Sequence, residues 1–202
     1  MTVIDIDTPH GPARAYLHLA EAPRGALVLG HGAGGGVGAR DLVKAKDVAL
    51  DEGFTVALVE QPYKVAGRKS PAPAAQLDTA WRAVVEHLRG EFGELPLITG
   101  GRSAGARVAC RTAADTGAIG VLCLAFPLHA PGRPEKTRLP ELEAVTVPVL
   151  IVQGVSDPFG MPPEGPNRTV VQVAGNHSLS SDAAGLATAV GEWLGALGRR
   201  AG

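Results

Sequence analysis

The chain is short of almost every feature that would place it in a specialised class. It has two cysteines among 202 residues. Cys110 and Cys123 are too few, and too embedded in apolar sequence, for a disulfide framework or a thiolate metal site, so they read as reduced core thiols. An excess of one charge is also missing. Nineteen Lys and Arg against twenty Asp and Glu leave a formal net charge of -1, and no basic run exceeds a pair, which removes the electrostatic basis for a nucleic-acid partner. Long apolar runs are absent too. VLCLAF and VPVLIV have strand length, far below the roughly 18 residues of a membrane span, which argues against insertion. The opening MTVIDIDTPHGPAR sets acids and an early proline where a signal peptide needs a basic start and an unbroken apolar stretch, so a cytoplasmic protein is expected.

What is present is 45% apolar sequence with mean hydropathy +0.11 and 27 glycines, enough for one globular domain over residues 1–202. Short β-branched runs alternate with Ala-rich segments: 26–30, 54–60, 96–100, 120–125, 147–154 and 168–174 read as buried parallel strands. Between them, 41–52, 74–90, 103–116 and 181–198 carry apolar residues at three- and four-residue spacing, as in Trp81, Val84, Val85 and Leu88, and read as helices. Alternation in ARAYLHLA (13–20) predicts an edge or antiparallel strand covered on one face. The class is α/β, a doubly wound and mostly parallel sheet flanked by helices.

Two glycine-rich stretches carry the chemistry. In ALVLGHGAGGGVGAR (26–40), Gly30, Gly32 and Gly35 fit the G-x-G-x-x-G dinucleotide pattern, with Glu60 as the matching ribose acid. The same residues also fit a loop whose backbone N–H groups receive an oxyanion. A Rossmann fold usually begins with its glycine-loop strand, whereas this chain has an element ahead of it. The second stretch, LITGGRSAGARVA (97–109), runs a strand through Gly101-Arg102-Ser103-Ala104-Gly105 into a helix. A serine on such a hairpin sits in a strained backbone and needs small residues two places before and after it. The Ala104 N–H then points into the same space as the hydroxyl.

A serine hydroxyl needs a base, and the base needs an acid to orient it. His10 and His18 precede the sheet core, His87 lies mid-helix, His31 belongs to the glycine loop and His129 starts a proline-rich loop. His177 follows the last strand in AGNHSLSS, where a strand-end loop can overhang the nucleophile. Asp157, in VSDPFG, follows the preceding strand. The order Ser103, Asp157, His177, together with HGAGG, GRSAG, GVSDP and GNHS, resembles the α/β-hydrolases, in particular small dienelactone-hydrolase-like serine hydrolases. The likeness runs through nearly the whole chain. It implies an eight-stranded sheet, a second oxyanion donor from Ala33 with Gly34 as the alternative, and a turn at Glu60-Gln61-Pro62-Tyr63 that leaves Glu60 no ribose role.

The sequence departs from larger members of that family at two intervals. Residues 127–145, with four prolines, leave room only for a loop or one short helix over the site in place of a lid. Residues 158–167 (PFGMPPEGPN) are too short for the helix expected there. An open cleft follows, lined by Tyr63, Arg102, Phe126, His129, Phe159 and Met161 at the carboxyl ends of the strands. Arg102 and Arg107 raise an anionic substrate. The competing account has Arg102 paired with a neighbouring acid and Arg107 in an ordinary ion pair. The expected reaction is hydrolysis of a small acyl substrate, a carboxylic ester first, with no metal or organic cofactor. Two rivals are a binding or scaffold protein on the same fold and an acyltransferase using the same residues. An exposed edge strand and open cleft would suit a homodimer.

Overall fold

The computed structural model describes residues 1–198. In chain order it contains β1 (Thr2–Ile6), β2 (Ala13–His18), β3 (Gly25–Gly30), α1 (Arg40–Asp51), β4 (Phe54–Glu60), α2 (Pro62–Val65), α3 (Ala74–Phe92), β5 (Leu97–Arg102), α4 (Ala104–Thr116), β6 (Gly120–Leu124), α5 (Leu139–Glu143), β7 (Val149–Gly154), β8 (Arg168–Val173) and α6 (Ala183–Gly198). The strands form one sheet of eight in the order β1-β2-β4-β3-β5-β6-β7-β8. β1 and β2 run antiparallel, and every pairing from β4 through β8 is parallel.

Strands buried on both faces need apolar residues at every position, and period-two geometry divides them between two cores. Leu27 and Leu29 face α1 and α6 together with Leu122, Leu124, Leu150 and Val152. Ala26 and Val28 face the opposite way, onto Trp81, Val84, Val85 and Leu88 of α3. Beyond them, Val121, Cys123, Val149 and Ile151 pack against α4. Cys110 and Cys123 are buried free thiols with Sγ atoms 3.5 Å apart, and the hydrogen bond with Cys110, together with burial, pushes the Cys123 thiol well above its ordinary pKa.

Several outcomes differ from the reading of the sequence. β1 was not foreseen; it pairs only with β2 and is mostly exposed, so its short alternation lacks the apolar density that marks the inner strands. β8 is a half-exposed edge strand rather than a buried one, with Thr169 and Gln172 open to solvent and Val170 and Val171 only partly buried. Helix α5 does form in the proline-rich interval, but Leu142 joins the cluster around Ala106, Ala109 and Ala113, so it docks on α4 instead of over the site. Residues 158–167 contain no helix, as expected. Finally, α6 starts at Ala183, because the Asp182 carboxylate accepts the Gly185 N–H at 2.8 Å and caps the helix there. No described helix is long and apolar enough to cross a membrane.

Candidate active site

The carboxyl ends of β3, β5, β7 and β8 lie on one edge of the sheet, with β6 between β5 and β7, and glycines let the loops of β3 and β5 close on one another. An added Cβ at Gly105 would stand 2.5 Å from the Gly30 carbonyl oxygen, and one at Gly101 2.6 Å from the same atom. The elbow after β5 is thereby pressed against the end of β3. Ser103, at the tip, has φ 51° and ψ −111°, a conformation that side chains rarely adopt and that tight packing must enforce. Its N–H donates to the Leu124 carbonyl at 2.9 Å. Ala104 opens α4, and a first helical N–H has no partner within its helix.

From Ser103 a continuous relay runs to the acid. Ser103 Oγ lies 2.9 Å from His177 Nε2, and His177 Nδ1 lies 2.8 Å from Asp157 Oδ2. The acid fixes the tautomer: Nδ1–H donates to the carboxylate, and Nε2 accepts from the serine hydroxyl. The Asp157 side chain is almost fully buried, 1% exposed, which excludes water as a competing partner. Its Oδ1 accepts the Phe159 N–H at 2.8 Å, and its Oδ2 accepts from Gln153 Nε2 at 3.0 Å. Gln153 Nε2 also reaches the carbonyls of Phe126 and Gly160. Phe159 stacks on the imidazole, with ring centroids 4.2 Å apart.

The loop after β3 turns between Gly32 and Gly35, whose N–H donates back to the Gly32 carbonyl at 3.2 Å. Two side chains orient its peptides. His31 Nε2 accepts the Gln61 N–H at 3.1 Å, so Nδ1 carries the proton and donates to the Gly32 carbonyl at 2.8 Å. Peptide planarity then aims the Ala33 N–H the opposite way. Tyr63 Oη donates to the Ala33 carbonyl at 3.0 Å and fixes the Gly34 N–H by the same argument. Burial holds the His31 imidazole pKa below its usual value and raises that of the Tyr63 phenol.

A family model described as an alpha/beta hydrolase domain matches residues 23–184. The chain belongs to the α/β-hydrolase family. Among solved structures, Est1E from Butyrivibrio proteoclasticus is similar at TM-score 0.80 and 18% identity, with 100% of each chain covered. An α/β serine hydrolase without lid from Xanthomonas campestris gives TM-score 0.77 at 20% identity, covering 99% of this chain and 94% of that one. A dienelactone hydrolase from Anabaena variabilis gives TM-score 0.74 at 15% identity, covering 96% and 94%. At such identities the likeness is one of fold. Among the described residues that α/β-hydrolase fold carries no lid, the sheet being mostly parallel and flanked by helices.

The six residues expected to line the cleft of this α/β-hydrolase divide unequally. Phe126 is fully buried in the α4 cluster and lines nothing. Tyr63 is buried and serves the glycine loop through its hydroxyl. Arg102 is engaged by Asp41, with Nε 2.7 Å from Oδ2, and by the His177 carbonyl, 2.9 Å from Nη2. Both close partners are thus groups of the chain itself, as in the ion-pair account. Arg107 forms a bidentate pair with Glu141. His129 gives its N–H to the Phe159 carbonyl and its Nδ1 lies on that of Ala130, so it supports the acid loop. Phe159 and Met161 remain half-buried on that loop. Glu60 accepts from Tyr16 Oη at 3.2 Å, which ties it to β2. Among the described residues no cluster of His, Cys, Asp or Glu could hold a metal ion.

Asp41 and Gln153 escaped the sequence reading, and Gln61 entered it only as a member of the turn after β4, not as the donor to His31. Asp41 looks like a helix-dipole acid at the start of α1. Gln153 carried a signal, being a lone amide at the end of the apolar run VLIVQG.

Proposed function

We propose that the protein is a serine hydrolase cleaving a small carboxylic ester or related acyl compound. Ser103 Oγ attacks the carbonyl carbon while His177 Nε2 takes its proton, and Asp157 stabilises the resulting imidazolium. The carbonyl oxygen becomes an oxyanion that receives the N–H groups of Ala104 and Ala33, with Gly34 beside them. As the tetrahedral intermediate collapses, His177 returns the proton to the leaving alkoxide and an acyl-serine remains. Water, deprotonated by His177, then releases the acid and regenerates the hydroxyl. Every step uses groups of the chain itself.

The observation that carries this reading is the relay through both nitrogens of one imidazole, at 2.9 Å and 2.8 Å, ending on a buried carboxylate. A binding protein would have no use for a strained serine on that relay. Lactones, as in the name of the Anabaena neighbour, and thioesters use the same steps and belong in the substrate panel. The test is steady-state kinetics on short-chain esters. Wild type is expected to turn over, and folded Ser103→Ala to lose about 10⁴-fold or more in kcat. Equal rates in the two proteins would overturn the assignment.

A further inference from the structure

Arg102 reaches three separate parts of the site at once. Its backbone adjoins Ser103. Its Nη2–H donates to the His177 carbonyl at 2.9 Å. Its Nε lies 2.7 Å from Asp41 Oδ2 without the alignment of a hydrogen bond, making that contact Coulombic. An added Cβ at Gly32 would stand 2.9 Å from its Nη1, so the guanidinium also runs directly beside the glycine loop. The three nitrogens thus face the histidine loop, the start of α1 and the oxyanion side of the site. Only a planar fork can address such divergent directions; an ammonium is a single point.

The histidine loop needs such a hold. Asn176, His177 and Ser178 lie in a turn in which the Ser178 N–H donates to Asn176 Oδ1 at 3.0 Å and the Leu179 N–H to the Asn176 carbonyl at 3.1 Å. Leu179 is buried with φ 51°. The N–H side of the His177–Ser178 peptide is therefore held locally. Its carbonyl side is held by Arg102 across 75 residues of sequence. The His177 Cα is bonded to that carbonyl carbon, so rotation of the peptide swings the imidazole away from Ser103 and Asp157.

We propose that Arg102, anchored by Asp41, is a positioning residue that clamps the His177 carbonyl and so sets the imidazole between Ser103 and Asp157. It binds no substrate. Asp41 is the anchor because its side chain, 1% exposed, has nowhere to move; burial raises its pKa, and the guanidinium beside it offsets only part of that rise. This inference rests on the serine-hydrolase reading, and it differs from the idea that Arg102 recognises an anionic substrate.

Arg102→Ala, Arg102→Lys and the control Arg82→Ala, which breaks only an exposed pair with Asp115, separate the possibilities. Each is assayed on a neutral and a carboxylate-bearing short ester, with the downfield proton resonance of His177 Nδ1–H recorded by NMR. A displaced base is expected to cost about 10–100-fold in kcat on both esters, with KM nearly unchanged. Arg102→Lys retains the charge that Asp41 requires and still loses the resonance and the rate. Ethylguanidinium added to Arg102→Ala restores part of both, and Arg82→Ala behaves as wild type. Full activity and an unaltered resonance in folded Arg102→Lys would overturn the proposal, as would a loss confined to KM for the carboxylate ester. If wild type hydrolyses neither ester, the function reading fails by itself. The resonance in Arg102→Lys still decides the clamp.

Discussion

His31 touches no reacting atom in the proposed chemistry, yet the direction of the Ala33 N–H depends on it. Its Nε2 must stay unprotonated to accept the Gln61 N–H, and burial already holds its pKa below the ordinary value. A group with a depressed folded pKa binds fewer protons folded than unfolded as pH falls through about 6.5, so acid removes stability there. The cost is absent above that window. Denaturant midpoints measured from about pH 7.5 down to about 5 should therefore fall more for wild type than for His31→Asn, which cannot charge. Parallel declines would show that His31 is not the source. None of this was legible in the sequence, where His31 counted only as a member of the glycine loop. A hydrogen bond to a backbone N–H thirty residues away leaves no mark in local spacing.

At the scale of elements, the elbow depends on the approach of β3 and β5 more than on any side chain. A methyl at Gly105 would meet the Gly30 carbonyl carbon and oxygen and the His31 carbonyl oxygen, all within 2.8 Å, and backbone cannot rotate away. At Gly34 nothing lies within 4 Å. Gly105→Ala is accordingly expected to lower stability by about 1–3 kcal/mol or more, and Gly34→Ala by almost nothing. Thermal melts would contradict this by showing equal shifts. The strands from β3 to β7 were readable because burial on both faces leaves an uninterrupted apolar run, and α3 and α4 because their faces repeat every three or four residues. β1 and α2 were not, since five and four residues are too few for periodicity to emerge from composition. The placement of α5 was misread because its docking depends on Leu142 and on Glu141 pairing with Arg107, contacts that only the folded chain makes.

At the scale of the molecule, the described residues form an α/β-hydrolase fold whose candidate site lies at the strand ends with no inserted helices above it. A site without a lid requires no surface to open it. Hydrolysis of a short-chain ester should therefore saturate smoothly, with no jump in rate as the substrate passes its solubility limit. A sharp rise at that limit would mean that some segment closes the site in water. The three residues of the proposed triad were legible because each follows its own strand, a fact of chain order. The cleft residues were not, because a position beside a strand end does not say which way a side chain turns. Phe126 turned into the core and Arg102 toward Asp41. The central claim is that Ser103 is an activated nucleophile, and titration with a fluorophosphonate, read by intact-protein mass, tests it most directly. One adduct per wild-type chain, and none on folded Ser103→Ala or His177→Ala, is the result this account predicts; an unlabelled wild type, or labelling that survives in Ser103→Ala, would contradict it.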